Sequence, residues 1–132
     1  KGIEGSISYL EWSYITQNKL GLAKVDNGSG PVELTSTSVG KMVESATQKG
    51  TGNDLSLTLD YATTVPGAYP INLVTYEVVC STYKDPAKAK LVTSFLTHFS
   101  SDEVQKSLES LGYAPLPATI SAKVKAAIAA VG

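Results

Sequence analysis

One histidine, His98, and one cysteine, Cys80, limit the chemistry that these 132 residues can perform alone. Any acid–base or nucleophilic scheme near neutral pH passes through His98. Thr97, Ser100, Ser101 and Asp102 beside it are the residue types of a triad, but they read as local helix caps, and His98 as a solvent-facing helix residue. A small serine hydrolase or phosphatase would be supported by a second histidine or a G-x-S-x-G elbow, and both are missing. One histidine among scattered carboxylates gives no metal-ligand spacing. Cys80 excludes an internal disulfide and a cysteine-based zinc site. Within Val78-Val79-Cys80 it reads as a small buried hydrophobe, the alternative being half of a disulfide with a cysteine outside this sequence. The sequence thus names no catalytic residue, no metal ligand and no cofactor.

Anion binding is the remaining chemistry. Gly28-Ser29-Gly30 and Gly50-Thr51-Gly52-Asn53 are glycine-rich enough to cradle an anion with backbone N–H groups. Neither continues as a phosphate loop or a dinucleotide fingerprint, so both read as turns. Ser36-Thr37-Ser38 is the helix start richest in neutral donors. Asp85, and Asp102 with Glu103, put negative charge at two other starts. All eleven basic residues are lysine. Arginine's planar fork is the usual grip on an oxyanion, so a tight oxyanion site is not expected to be complete within this chain. Glu77, inside an apolar run, needs partners or a water-lined cleft to stay ionised. Tyr9, Trp12 and Tyr14 read as a packing face rather than a binding surface.

Composition bounds the rest. Hydrophobic content of 42% and charged content of 17% suit a folded domain or a piece of one. A formal net charge of −1 gives no basic field to attract nucleic acid. No apolar run approaches the ~20 residues that cross a bilayer. Lys1-Gly2-Ile3-Glu4 is followed by no signal-peptide apolar core.

The elements that would position these residues change in texture near Tyr69, before which nine of the eleven glycines fall. Residues 6–10 and 20–25 read as strands, 11–18 as a helix, and 36–48 as a helix with Val39, Met42, Val43 and Ala46 inward. Leu55, Leu57 and Leu59 alternate as a half-buried strand. Residues 71–81 are predicted to form the longest strand, apolar enough to be covered on both faces. Asp85-Pro86 opens a helix over 86–99 carrying Leu91, Val92, Phe95, Leu96 and Phe99 on one face. Ser100 and Glu103 have capping-box spacing before a helix over 101–111, with Gly112 as its stop. A last helix covers 118–131. Phe95 and Leu108 are expected on buried faces, truncation of either costing about 2–5 kcal/mol. The class is α/β, but the long strand and three amphipathic helices lack sheet partners, so the chain reads as part of a larger protein.

Three motifs then become recognisable. Gly5-Ser6-Ile7-Ser8-Tyr9-Leu10-Glu11-Trp12-Ser13-Tyr14, continuing to Gln17-Asn18-Lys19-Leu20, resembles a segment of the bacterial phosphate-binding proteins that serve high-affinity phosphate ABC transporters. Gly67-Ala68-Tyr69-Pro70-Ile71, then Thr75-Tyr76-Glu77, resembles that family's approach to its late crossing strand. Leu111-Gly112-Tyr113-Ala114-Pro115-Leu116-Pro117 resembles its C-terminal LGYAPLP element. Ser8 and Ser13 depart from the usual glycine and alanine. The connecting region, with Val32-Glu33-Leu34 and Gly50-Thr51-Gly52-Asn53-Asp54, looks most like members from high-GC Gram-positive bacteria.

The resemblance implies a two-lobed periplasmic-binding-protein fold of type II, with a mixed sheet and helices packed on it. Residues 1–69 would end the second lobe, 70–82 form the crossing strand and hinge, and 83–132 complete the first lobe. It implies an extracytoplasmic, non-enzymatic substrate-binding component of an inorganic phosphate importer. Its partners would be phosphate, the membrane permease subunits and the N-terminal remainder of the same protein, and no nucleic acid. The family's phosphate contacts lie upstream of anything matching this chain, so the resemblance assigns no ligand residue here. A pure interaction or scaffold module is the alternative.

Overall fold

The computed structural model describes residues 2–132; Lys1, first of the expected 1–69 portion, lies outside the described residues. Three of its helices start where a capping side chain satisfies a free N–H group of the first turn. After a short helix α1 (Trp12–Asn18), Lys19 turns left-handed and its N–H returns to Thr16 O. Helix α2 (Ser36–Glu44) is opened by a reciprocal box, in which Thr35 Oγ1 accepts from Ser38 N and Ser38 Oγ accepts from Thr35 N. Asp85 caps α3 (Pro86–Phe99), with proline at the first position, where no N–H is needed. Ser101 caps α4 (Asp102–Leu108), a 3₁₀ turn (Glu109–Leu111) tightens its end, and α5 (Ala118–Ala129) follows Pro117.

The sheet content among the described residues is two antiparallel pairs. Strands β1 (Val25–Asp26) and β2 (Pro31–Val32) pair Val25 with Val32 across the 27–30 turn. Strands β3 (Thr47–Gln48) and β4 (Leu57–Thr58) pair Gln48 with Leu57. The core is small and sits on α2: Met42 is fully buried, with Val32, Val43, Ala68 and Tyr69. Tyr69 N donates to Ser38 O at 3.0 Å, tying residues 68–70 to that helix. Burial pushes the Tyr69 phenol above its ordinary pKa. Helix α3 packs on α4 and α5 and buries Leu96.

Two close approaches join the early and late parts of the chain. Gly112 ends the 3₁₀ turn at φ 80°, and a Cβ there would lie 2.4 Å from Ser13 Cα. Lys123 Nζ reaches Gln48 Oε1 at 3.1 Å.

The helix expectations hold closely for 86–99. The helix over 36–48 stops at Glu44, and Thr47-Gln48 joins a hairpin instead. That over 101–111 divides into α4 and the 3₁₀ turn, and that over 118–131 stops at Ala129.

The strand expectations need larger corrections. Residues 71–81 form no strand, and residues 6–10 none either. Of 20–25 only Val25 is in a strand, and of 55–59 only Leu57–Thr58. A strand exists only where a neighbour takes its N–H and C=O groups, and no described strand lies alongside 71–81. Ile71, Leu73 and Val78 are consequently exposed, as are Ile7 and Tyr9.

Phe95 corrects another expectation: it is 58% exposed, and its ring stacks on Phe99 at 6.0 Å instead of entering a core. Leu108 is half-buried. The apolar face of α3 is only partly covered: Leu96 is buried and Val92 half-buried, while Leu91, Phe95 and Phe99 stay exposed.

Candidate functional site

The glycine turn after β1 is the first place to look for an anion, because Gly28 and Gly30 both adopt positive φ and aim their N–H groups inward. Those donors are already engaged. Gly28 N and Gly30 N donate to Asp26 Oδ1 at 2.8 and 3.1 Å, and Ser29 Oγ donates to Asn27 Oδ1. The turn holds a carboxylate of its own chain where an external anion would sit.

The second glycine cluster is closed by its own backbone. Ser56 N donates to Asp54 Oδ1 at 3.0 Å, while Lys49 N and Gly50 N donate to Ser56 O. The Ser56 backbone and side-chain hydrogen bonds hold the Asp54 carboxyl below its ordinary pKa. This turn therefore presents negative charge to solvent.

At the start of α2, Ser38 Oγ donates to Glu33 O at 2.7 Å, so Ser38 and Thr35 are committed to the cap. Ser36 Oγ is shielded and has no partner among the described residues. At α3 the first-turn donor Ala87 N is taken by Asp85. At α4, Asp102 Oδ1 accepts from Lys125 Nζ at 2.8 Å, which holds the Asp102 carboxyl below its ordinary range.

The residues around His98 separate by role. Ser100 Oγ donates back to Thr97 O, Ser101 caps α4, and Asp102 faces Lys125. His98 itself is exposed. Asp102 and Ser101 are thus spent on capping and an ion pair, and the structure assembles no triad from this set. No group of three His, Cys, Asp or Glu side chains among the described residues is placed to hold a metal ion.

Cys80, expected as a buried hydrophobe, is instead an exposed free thiol. The run around it lacks the covering layer that would bury it. Glu77 is exposed as well, and with Val79, Leu91, Val92, Phe95 and Leu96 it lines an open, mostly apolar groove beside α3. The Tyr9, Trp12, Tyr14 set is divided, with Tyr9 and Tyr14 exposed and Trp12 half-buried.

Three residues with structural leverage escape the sequence reading. Gln105 is buried, donating from Nε2 to Phe99 O at 3.1 Å and accepting from Leu116 N at 2.9 Å. Tyr76 accepts from Leu57 N at 2.8 Å through its phenol oxygen. Gly112 is legible as a helix stop, but its approach to Ser13 is not. No local pattern encodes these contacts, because each joins segments distant in sequence or direction.

Several known proteins are similar to this chain over most of its length. Phosphate-binding protein PstS 2 of Mycobacterium tuberculosis is 40% identical over 132 residues, which is 97% of this chain and 35% of that protein. Phosphate-binding protein PstS 3 of Mycobacterium leprae is 39% identical over 99% of this chain and 36% of its own length. Phosphate-binding protein PstS of Xylella fastidiosa is 28% identical over 94% of this chain and 34% of its own length. The chain therefore spans about a third of the length of the curated relatives that it matches. No solved structure matches it. Residues 1–103 match the PBP superfamily domain, and the chain belongs to that superfamily.

Proposed function

We propose that this chain is the C-terminal part of an extracytoplasmic substrate-binding component of an inorganic phosphate ABC importer. Identity of about 40% across 97% of the chain to proteins named for phosphate binding carries the reading. In it, residues 1–69 end one lobe, 70–82 cross between lobes as the hinge and become a strand only against a sheet from elsewhere in the protein, and 83–132 complete the other. The phosphate-contacting residues lie in upstream sequence, and membrane permease subunits receive the cargo. The protein binds and delivers, without chemical conversion.

Two observations on this chain support that division. Asp26 engages the Gly28–Gly30 turn and Asp85 the start of α3, while Asp54 stands in the second glycine turn and Asp102 and Glu103 in the first turn of α4, and these acids repel an anion. Its exposed apolar segments, 71–79 and the Leu91, Phe95, Phe99 stripe, are what a sheet supplied from elsewhere in the protein would cover. Phosphate is heavily hydrated, and tight capture requires many fixed donors to replace its water. Exposed lysines are flexible point charges and do not substitute for such a set.

Calorimetric titration with inorganic phosphate at low salt tests this reading. The 132-residue chain is expected to bind weakly or not at all, and the chain extended upstream to its relatives' length to bind tightly. Micromolar binding by the 132-residue chain would mean a complete site exists here. No binding by the extended chain would remove phosphate as the ligand.

A further inference from the structure

The chain contains four asparagines, Asn18, Asn27, Asn53 and Asn72, and only Asn27 is followed by glycine. Asparagine is chemically labile because the backbone nitrogen of the next residue can attack its Cγ and close a five-membered ring. A glycine at that next position has no Cβ to hinder the approach and reaches the required backbone angles freely. Asn27–Gly28 is therefore the most reactive amide pair in the sequence, and it lies in the turn between β1 and β2.

The folded turn engages each group that this attack needs. Gly28 N, the nucleophile, donates to Asp26 Oδ1 at 2.8 Å. That nitrogen attacks only after losing its proton, and the negative charge of the adjacent carboxylate opposes the loss. Asn27 Oδ1 accepts from Ser29 Oγ at 3.0 Å, and Asn27 Nδ2 donates to Thr63 O. Thr63 is a firm anchor: it is buried, its N–H donates to Asp60 O at 2.9 Å, and its hydroxyl accepts from Val65 N. The Asn27 carboxamide is thus held at both polar atoms and is not free to rotate onto Gly28 N while these bonds stand.

We propose that Asn27–Gly28 is a self-modification site, held closed by Thr63 and Asp26 and exposed to reaction when the 27–30 turn detaches from Thr63. In the open turn Gly28 N gives its proton to water or hydroxide and bonds to Asn27 Cγ. The Cγ–Nδ2 bond then breaks, and ammonia leaves with a proton returned by water, so that a succinimide remains. Water adds to one of the two ring carbonyls, giving an aspartate or an isoaspartate. Either product carries a new carboxylate and lacks the Nδ2 donor. The carboxylate stands near Asp26, and Thr63 O has lost its donor, so the turn does not close again as before. The isoaspartate also lengthens the backbone of the turn that sets the Val25–Val32 pairing.

Incubation at mildly alkaline pH, followed by peptide mass spectrometry and enzymatic detection of isoaspartate, tests the site in the 132-residue chain and in the chain extended upstream. Each conversion raises the peptide mass by about 1 Da and adds one negative charge. Conversion at Asn27 should be at least about tenfold slower in buffer than in urea, where the hydrogen bonds of the turn are gone. Asp26→Ala, set against its own rate in urea so that the change of neighbour cancels, should narrow that gap at least about threefold. Equal parent rates in buffer and urea, in both chains, would overturn the protection by the fold. Absence of conversion in urea would overturn the site itself. A gap unchanged by Asp26→Ala would overturn the hold of Asp26 on the nucleophile.

Discussion

Gly112→Ala is expected to destabilise the chain by about 2–5 kcal/mol, combining a strained backbone with overpacking. Gly112 has φ 80°, a left-handed conformation that disfavours any Cβ. The added methyl would also point into α1, 2.4 Å from Ser13 Cα and 2.8 Å from Ser13 N. Those are backbone atoms of a helix, so no side-chain rotation relieves the clash. Either α1 moves away from the 109–112 turn or the turn unwinds, and each separates the early from the late part of the chain. Urea unfolding monitored through Trp12, which opens α1, reads this directly. A loss no larger than about 1–2 kcal/mol, the ordinary cost of a Cβ in the left-handed region, would mean that the two segments do not meet.

Gln105→Ala is expected to cost about 2–4 kcal/mol, because two part-buried backbone groups lose their partner together. Nε2 satisfies Phe99 O, the free carbonyl near the end of α3, and Oε1 satisfies Leu116 N in the connector before α5. One side chain therefore joins α3, α4 and the connector before α5. Thermal unfolding should show the loss, and the Leu116 amide should exchange much faster. Gln105→Met, similar in volume but unable to make either bond, separates packing from hydrogen bonding. Equal melting of the methionine variant and the parent would assign the role of Gln105 to packing alone.

These two contacts also mark where sequence reasoning ends. The boundaries of α3 are legible because a helix satisfies its backbone within itself, and Asp85-Pro86 sets its first turn locally. The strands expected over 6–10 and 71–81 are legible only as apolar runs, since a strand's bonds are made with another segment. Phe95 illustrates the same limit. Helical spacing correctly places it on the apolar face with Leu91 and Phe99, but spacing cannot say what covers that face. In the candidate anion sites the glycines are legible as turns. Asp26 accepting from Gly28 N is the local turn chemistry of an aspartate, and its second bond, to Gly30 N, needs the positive φ that both glycines adopt. Tyr76 and Gln105 carry no pattern of their own, because their importance comes from partners 19 and 11 residues away.

The all-lysine cation set has a further chemical consequence. Both ion pairs among the described residues, Lys24 with Glu33 and Lys125 with Asp102, end on primary amines, as does the Lys123 contact with Gln48. Amine-directed acylation could therefore erase every side-chain positive charge, taking the formal charge from −1 by eleven lysines to −12. Guanidinium groups, which would survive such reagents, are absent. Because both ion pairs are exposed and worth little to folding, the reagent would change how the surface is seen by other charged molecules while leaving the core around Met42 in place.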